Sequence, residues 1–137
     1  MPRIRRASPG DFPGIRRLAA ALGLDYEDME ADRFWVVEDE DRTIGQVGLK
    51  KHADGDELVA LGVDPARRSE GWGRRLVEAL MAEAPGPVYL ATLIPGFFES
   101  CGFRRTAEGP PGILNKPASW CEGCPRTGCT VMVRLPR

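Results

Sequence analysis

The sequence predicts a mixed α/β (α+β) fold, a sheet with flanking helices. Two segments carry the prediction. Glu57-Leu58-Val59-Ala60-Leu61-Gly62-Val63 is a nearly continuous apolar run, as a buried central strand requires. Gly71 to Ala84 sets Trp72, Leu76, Val77, Leu80 and Met81 on one helical face. A third observation is the alternation of strand and helix patterns on either side of these two, within a length suited to one domain spanning 1–137.

In chain order, Pro2 to Arg6 reads as a short strand. Ser8 can cap the next helix, with Pro9 at its first position and Asp11 at its third. Phe12, Ile15, Leu18, Ala19 and Leu22 recur at helical spacing, and Gly23 can end that helix. Asp25 to Ala31 is acidic and reads as a short helix or loop. Phe34 to Glu38 and Thr43 to Lys50 form a hairpin around Asp39-Glu40-Asp41-Arg42. His52 to Asp56 is a second polar turn, leading into the buried strand. Pro85-Gly86 stops the long helix. Val88 to Thr92 is a strand, Pro95 to Cys101 a short helix, and Phe103 to Thr106 a strand. Between Ala107 and Thr130 periodicity gives way to glycine, proline and cysteine, and Val131 to Leu135 closes the sheet.

Nineteen basic and twenty acidic side chains leave a formal charge of −1, which supplies no general attraction to nucleic acid or membrane. No apolar run is long enough to span a bilayer, and the basic N-terminus runs into Ser8-Pro9-Gly10-Asp11 rather than an apolar stretch. The expected location is the cytoplasm. A homodimer is left open by the sequence.

The richest segment is Val63-Asp64-Pro65-Ala66-Arg67-Arg68-Ser69-Glu70-Gly71-Trp72-Gly73-Arg74-Arg75-Leu76, between the buried strand and the long helix. Gly71 and Gly73 uncover the backbone where a helix start gathers free N–H donors and positive dipole, a setting for a pyrophosphate. Arg68, Arg74 and Arg75 add charge. Read alone, the same residues also describe a glycine-rich helix entry with solvated arginines. Neither the Gly-x-x-x-x-Gly-Lys-Ser/Thr loop nor Gly-x-Gly-x-x-Gly is present, since Leu76 stands at the third glycine of the latter.

Val63, Pro65, Arg68, Gly71 and Gly73 match in register the central Val-x-Pro-x-x-Arg-x-x-Gly-x-Gly pattern of the GNAT acetyltransferases. Phe97-Phe98-Glu99-Ser100-Cys101-Gly102-Phe103 resembles their second signature, and Ile4-Arg5-Arg6-Ala7 with Asp11 their opening strand and helix. The resemblance runs from about Ile4 to Thr106. It implies a mainly antiparallel GNAT-like sheet and acetyl-CoA as co-substrate. It also implies a donor site along Leu61, Val63, Arg68, Ser69, Glu70, Gly71, Trp72, Gly73 and Arg74, with Phe98 nearby. By the same resemblance a backbone N–H near Leu61 would face the thioester oxygen, and the pantetheine arm would add to the strand edge near Leu61 and Val63.

Transfer to an amine requires loss of the ammonium proton, support for the oxyanion and departure of the thiolate. Glu57, at the start of the buried strand, is the candidate base, and it reads equally as a polar strand end beside Asp54 and Asp56. His52, the single histidine, is the fallback. Phe98 stands where many family members carry tyrosine, so no acid for the thiolate is assigned. The Phe-Phe pair and the tail Trp120-Cys121-x-x-Cys124-Pro125 resemble the amino-acid branch related to N-acetylglutamate synthase. By that resemblance Lys116 matches a basic residue for a substrate carboxylate.

Cys121, Cys124 and Cys129 place three soft ligands in nine residues, one short of an ordinary zinc site. We read them as thiols packing a loop and assign no metal ligand. The function expected is N-acetylation of a small primary amine, an amino acid included, by direct attack in a ternary complex. The alternatives are a CoA-sensing module with weak catalysis and a metal- or redox-responsive domain built on the cysteine loop.

Overall fold

Strand β1 (Arg3–Arg6) leads through a 3-10 turn at Pro9–Asp11 into α1 (Phe12–Leu22). A second 3-10 turn, Met29–Ala31, precedes β2 (Arg33–Asp39), β3 (Arg42–His52) and β4 (Gly55–Val63). A 3-10 segment, Pro65–Glu70, then delivers the chain to α2 (Trp72–Glu83), followed by β5 (Val88–Thr92), α3 (Pro95–Ser100), β6 (Arg104–Arg105) and β7 (Thr130–Arg134). This is a computed structural model, and it describes residues 2–53, 55–110 and 130–136.

The strands form one sheet in the order β1-β2-β3-β4-β5-β7-β6. The pairs β1–β2, β2–β3, β5–β7 and β6–β7 are antiparallel, and β4–β5 is parallel. The mixed, mainly antiparallel sheet with helices is the class read from the sequence. The chain divides into two compact units, Met1–Lys50 with Leu58–Glu83, and Lys51–Glu57 with Ala84–Arg137.

In the first unit, left-handed residues make the reversals. Glu40 and Asp41 sit at φ 49° and 63°, the pair of positive values that a two-residue turn needs to match strand twist. Gly23, at φ 70°, ends α1, and its N–H reaches back to the carbonyls of Ala19 and Ala20. Helix α1 buries Ile15 and Ala19 against Met29, Phe34 and Val36. Phe12 meets the Phe34 ring edge-on at 5.7 Å. Phe34 lies directly over Gly48, its cross-strand partner, so close that a Cβ there would stand 2.7 Å from the ring. Helix α2 buries Trp72, Leu76, Val77, Leu80 and Met81, the stripe predicted from spacing. Its last residue, Glu83, accepts a 2.6 Å hydrogen bond from the indole N–H of buried Trp35. Gln46, opposite Val36, is 0% exposed, and among the described residues neither atom of its carboxamide has a partner.

In the second unit, Phe98 packs edge-on against Phe97 and Phe103, with ring centroids 5.0 and 5.7 Å away. Buried Arg134 donates from Nη1 to the Cys101 carbonyl at 2.8 Å, at the C-terminal end of α3. Its guanidinium passes over Gly102, whose φ is 88°. β5 pairs with β7 along its whole length, and with β4 at Asp56↔Val88 and Glu57↔Tyr89.

Several boundaries differ from the sequence reading: β3 runs on to His52 and β4 starts at Gly55 where a polar turn was expected over His52 to Asp56, and the helix expected from Pro9 opens with a 3-10 turn before α1. The long helix begins at Trp72, not Gly71, because Gly71 adopts a left-handed φ of 84° and turns the chain before the helix starts. The strand expected over Phe103 to Thr106 is two residues, Arg104–Arg105, since Phe103 is drawn into the aromatic cluster.

Candidate functional site

The end of β4 and the start of α2 form a strand–turn–helix. Asp64 caps the 3-10 segment, its Oδ1 accepting from the Ala66 N–H at 3.0 Å. The Asp64 N–H in turn donates to the Ile44 carbonyl at 2.8 Å, which anchors the exit from the strand. Seven residues after Asp64, Gly71 turns left-handed, a conformation costing an ordinary residue about 1–2 kcal/mol. A Cβ built on Gly71 meets nothing within 4 Å. The backbone entering α2 is therefore open at the point where the first-turn N–H groups lack intrahelical acceptors and the dipole is positive.

The charges around this turn are sorted by their bonds. Arg67 is held by Glu70, with contacts of 2.9 and 3.0 Å, and by Asp39 at 2.9 Å. Glu70 and then Asp39 keep its guanidinium protonated beyond its already high ordinary value. Glu70 is held below the usual carboxylate range, first by Arg67 and then by the Trp72 indole N–H, which donates at 2.9 Å. The one acid of the loop is thus neutralised by Arg67. Arg68 donates from Nε to the Val63 carbonyl at 3.2 Å, and Arg75 lies over the Trp72 ring at 4.5 Å. Ser69, Glu70 and Arg74 are exposed, Gly73 half-buried and Trp72 buried. An open helix start with arginines beside it and its acid already paired suits an anionic diphosphate.

Ala60, within β4, has a φ of 53°, a left-handed value uncommon for a residue with a Cβ and typical of a bulge. A left-handed residue changes the direction of the peptide that follows it, here the one carrying the Leu61 N–H. Leu61 is half-buried and Val63 buried.

In the second unit Glu57 lies near the start of β4 and is 3% exposed. Its Oε1 lies 2.7 Å from Nε2 of His52, the last residue of β3. Glu57 and His52, alternatives in the sequence, are a bonded pair in the structure, and His52 is neither in a loop nor fully solvated. Phe98 is buried in the aromatic cluster. Lys116, Trp120, Cys121, Cys124 and Cys129 lie outside the described residues. Among the described residues no cluster of His, Cys, Asp or Glu could hold a metal ion, and no helix is long and apolar enough to cross a membrane.

Three features escaped sequence reasoning. The Arg67–Glu70 pair had a visible signal in its spacing of three. The Glu57–His52 pair depends on the tightness of the hairpin between them. The turn at Ala60 leaves no mark in residue type.

This fold and this strand–turn–helix agree with the acetyltransferase class that the sequence resembles. The Acetyltransferase (GNAT) domain family matches residues 30–105. The chain is also 33% identical over 110 residues to the peptidyl-lysine N-acetyltransferase YjaB of Salmonella typhimurium, covering 73% of this chain and 73% of that protein. The chain belongs to the GNAT acetyltransferase family. Solved structures of similar fold include N-acetylglutamate synthase from Neisseria gonorrhoeae complexed with coenzyme A and N-acetyl-glutamate, at TM-score 0.78 and 22% identity. That match covers 100% of this chain but 35% of that one. Rv2747 from Mycobacterium tuberculosis, in complex with CoA, matches at TM-score 0.78 and 22% identity over 97% of this chain and 98% of that one.

Proposed function

We propose that this chain transfers an acetyl group from acetyl-CoA to the primary amine of a small molecule by direct attack in a ternary complex. The observation that carries this is the left-handed Gly71 opening the start of α2 beside Arg68 and Arg74, with the loop's acid already paired to Arg67. Backbone N–H groups of Gly71, Trp72 and Gly73 would take the diphosphate, with Ser69 and Arg68 at its margin. The edge of β4 near Leu61 and Val63 would take the extended pantetheine arm by strand addition. Bound there, acetyl-CoA supplies a carbonyl for the amine to attack and a thiolate to leave. The Leu61 N–H, re-aimed by the turn at Ala60, supplies a donor toward that carbonyl oxygen. Glu57 receives the proton of the incoming ammonium.

The acceptor is assigned to the class of small amines, amino acids included. The likeness to the amino-acid branch in the Phe97-Phe98 pair and the cysteine tail supports that choice, with Lys116 as partner for a carboxylate. A lysine side chain in a peptide is the second reading, favoured by the Salmonella relative. The test is thiol release from acetyl-CoA against amino acids, polyamines and lysine peptides. Release with free amines supports the first reading, and release with lysine peptides alone replaces it with the second. Acetyl-CoA binding without release for any amine would leave a sensing module.

A further inference from the structure

We propose that His52 is a positioning residue that acts through Glu57, so that the base of the reaction is a two-residue device. The proposal rests on the reading of Glu57 as base. His52 closes β3 and Glu57 is the third residue of β4, across a tight reversal. The turn brings Nε2 to 2.7 Å from Oε1, a distance at which the ring N–H donates to the carboxylate. Burial gives that bond its weight. Glu57 is 3% exposed, and a carboxylate taken out of water must find donors in the protein. His52 keeps 20% of its side chain exposed, so the pair runs from a buried oxygen to a ring that reaches solvent.

The strand fixes only the Glu57 backbone, through its register with Tyr89. The carboxylate ends a flexible side chain with three rotatable bonds. One oxygen held by Nε2–H limits those rotations and so restricts the directions in which the carboxylate can meet an incoming ammonium. The bond also selects the imidazole tautomer, since a carboxylate at Oε1 favours the proton on Nε2. The bond is one of Glu57's contacts rather than its sole one. The inference is that it decides the direction of the carboxylate, not whether the strand forms.

The experiment measures kcat and KM on the full chain with the best acceptor from the amine panel, for His52→Ala, His52→Gln, Glu57→Gln and the double variant His52→Ala/Glu57→Gln. His52→Ala should lower kcat by roughly ten- to a hundredfold, the scale of a misdirected reacting group, with KM for acetyl-CoA unchanged. His52→Gln, whose amide N–H can still donate to Oε1, should recover most of that loss. The double variant should be no slower than Glu57→Gln alone, because His52 has nothing left to direct. Wild-type kcat in His52→Ala beside a slow Glu57→Gln overturns this proposal and leaves the base reading standing. Losses that multiply in the double variant also overturn it. A Glu57→Gln enzyme at the wild-type rate removes both readings. A second measurement needs no turnover. His52 is the only histidine, so its ring nitrogens give one set of signals in nitrogen-15 NMR. A protonated Nε2 whose signal moves in Glu57→Ala is expected, and ring signals indifferent to that change would overturn the pairing.

Discussion

Arg5 grips Asp11 with both ends of its guanidinium, Nη1 to Oδ2 and Nη2 to Oδ1, each at 2.8 Å. The grip joins β1 to the turn that opens α1. The same carboxylate accepts from the Ser8 N–H at 2.7 Å and from the Ser8 hydroxyl at 3.1 Å. Arg5 foremost, with Ser8 assisting against the cost of burial, holds the Asp11 carboxyl well below the usual carboxylate range. A depressed folded value gives stability that is present above the unfolded value and lost as pH falls through the ordinary carboxylate range and below. Thermal melts from pH 7 down to pH 2 should therefore fall more steeply for the parent than for Asp11→Asn. Parallel curves would remove Asp11 from the acid response.

Gly71 should separate backbone strain from ligand charge. Gly71→Ala and Gly71→Glu both place a Cβ at φ 84°, and both should lose about 1–2 kcal/mol of stability. Acetyl-CoA raises the melting temperature of the parent by binding the folded state. Gly71→Glu should lose that rise, since its side chain enters the open space with a negative charge, while Gly71→Ala should keep part of it. A folded Gly71→Glu chain with an undiminished shift would move the diphosphate elsewhere.

Gln46 should be a site where lost polarity stabilises. Its carboxamide is fully buried with neither atom partnered among the described residues, and an unmet buried polar group costs about 1–3 kcal/mol. Gln46→Met keeps the volume and drops the polar atoms. Its denaturation midpoint should rise with an unchanged slope. A lower midpoint would show that the amide is satisfied in solution.

The segment from Ala107 to Thr130 carries Lys116, the residue proposed as partner for a substrate carboxylate. Trimming it should weaken acceptor use and leave acetyl-CoA affinity nearly intact, since the diphosphate loop belongs to another element. Lys116→Met should raise the KM of an amino-acid acceptor and leave that of an uncharged amine unchanged. A trimmed, folded chain with the parent's acceptor profile would end this assignment.

The strand–turn–helix from Val63 to Gly73 was legible because it is local. Val63 to Gly73 is one continuous stretch, and backbone turns, helix starts and arginines are properties of neighbours in sequence. The helical stripe from Trp72 to Met81 and the hairpin at Glu40-Asp41 were readable for the same reason. The Glu57–His52 bond was hidden because it is a property of register, and one more residue in the turn would separate the two side chains. The burial of Gln46 was not readable, because it depends on both faces of β3 being covered. Phe98 was assigned to the donor site by resemblance alone, and its edge-on contacts with Phe97 and Phe103 depend on tertiary packing that the sequence does not display.

β7 has an effect on biosynthesis. It lies between β5 and β6, yet both come before it in the chain. Until Thr130–Arg134 has left the ribosome, β6 lacks the neighbour it pairs with and β5 has only the two-position ladder to β4. A chain severed between Arg105 and Thr130 would keep both strands without the neighbour that β7 supplies, and their backbone groups would be open to any strand able to take its place.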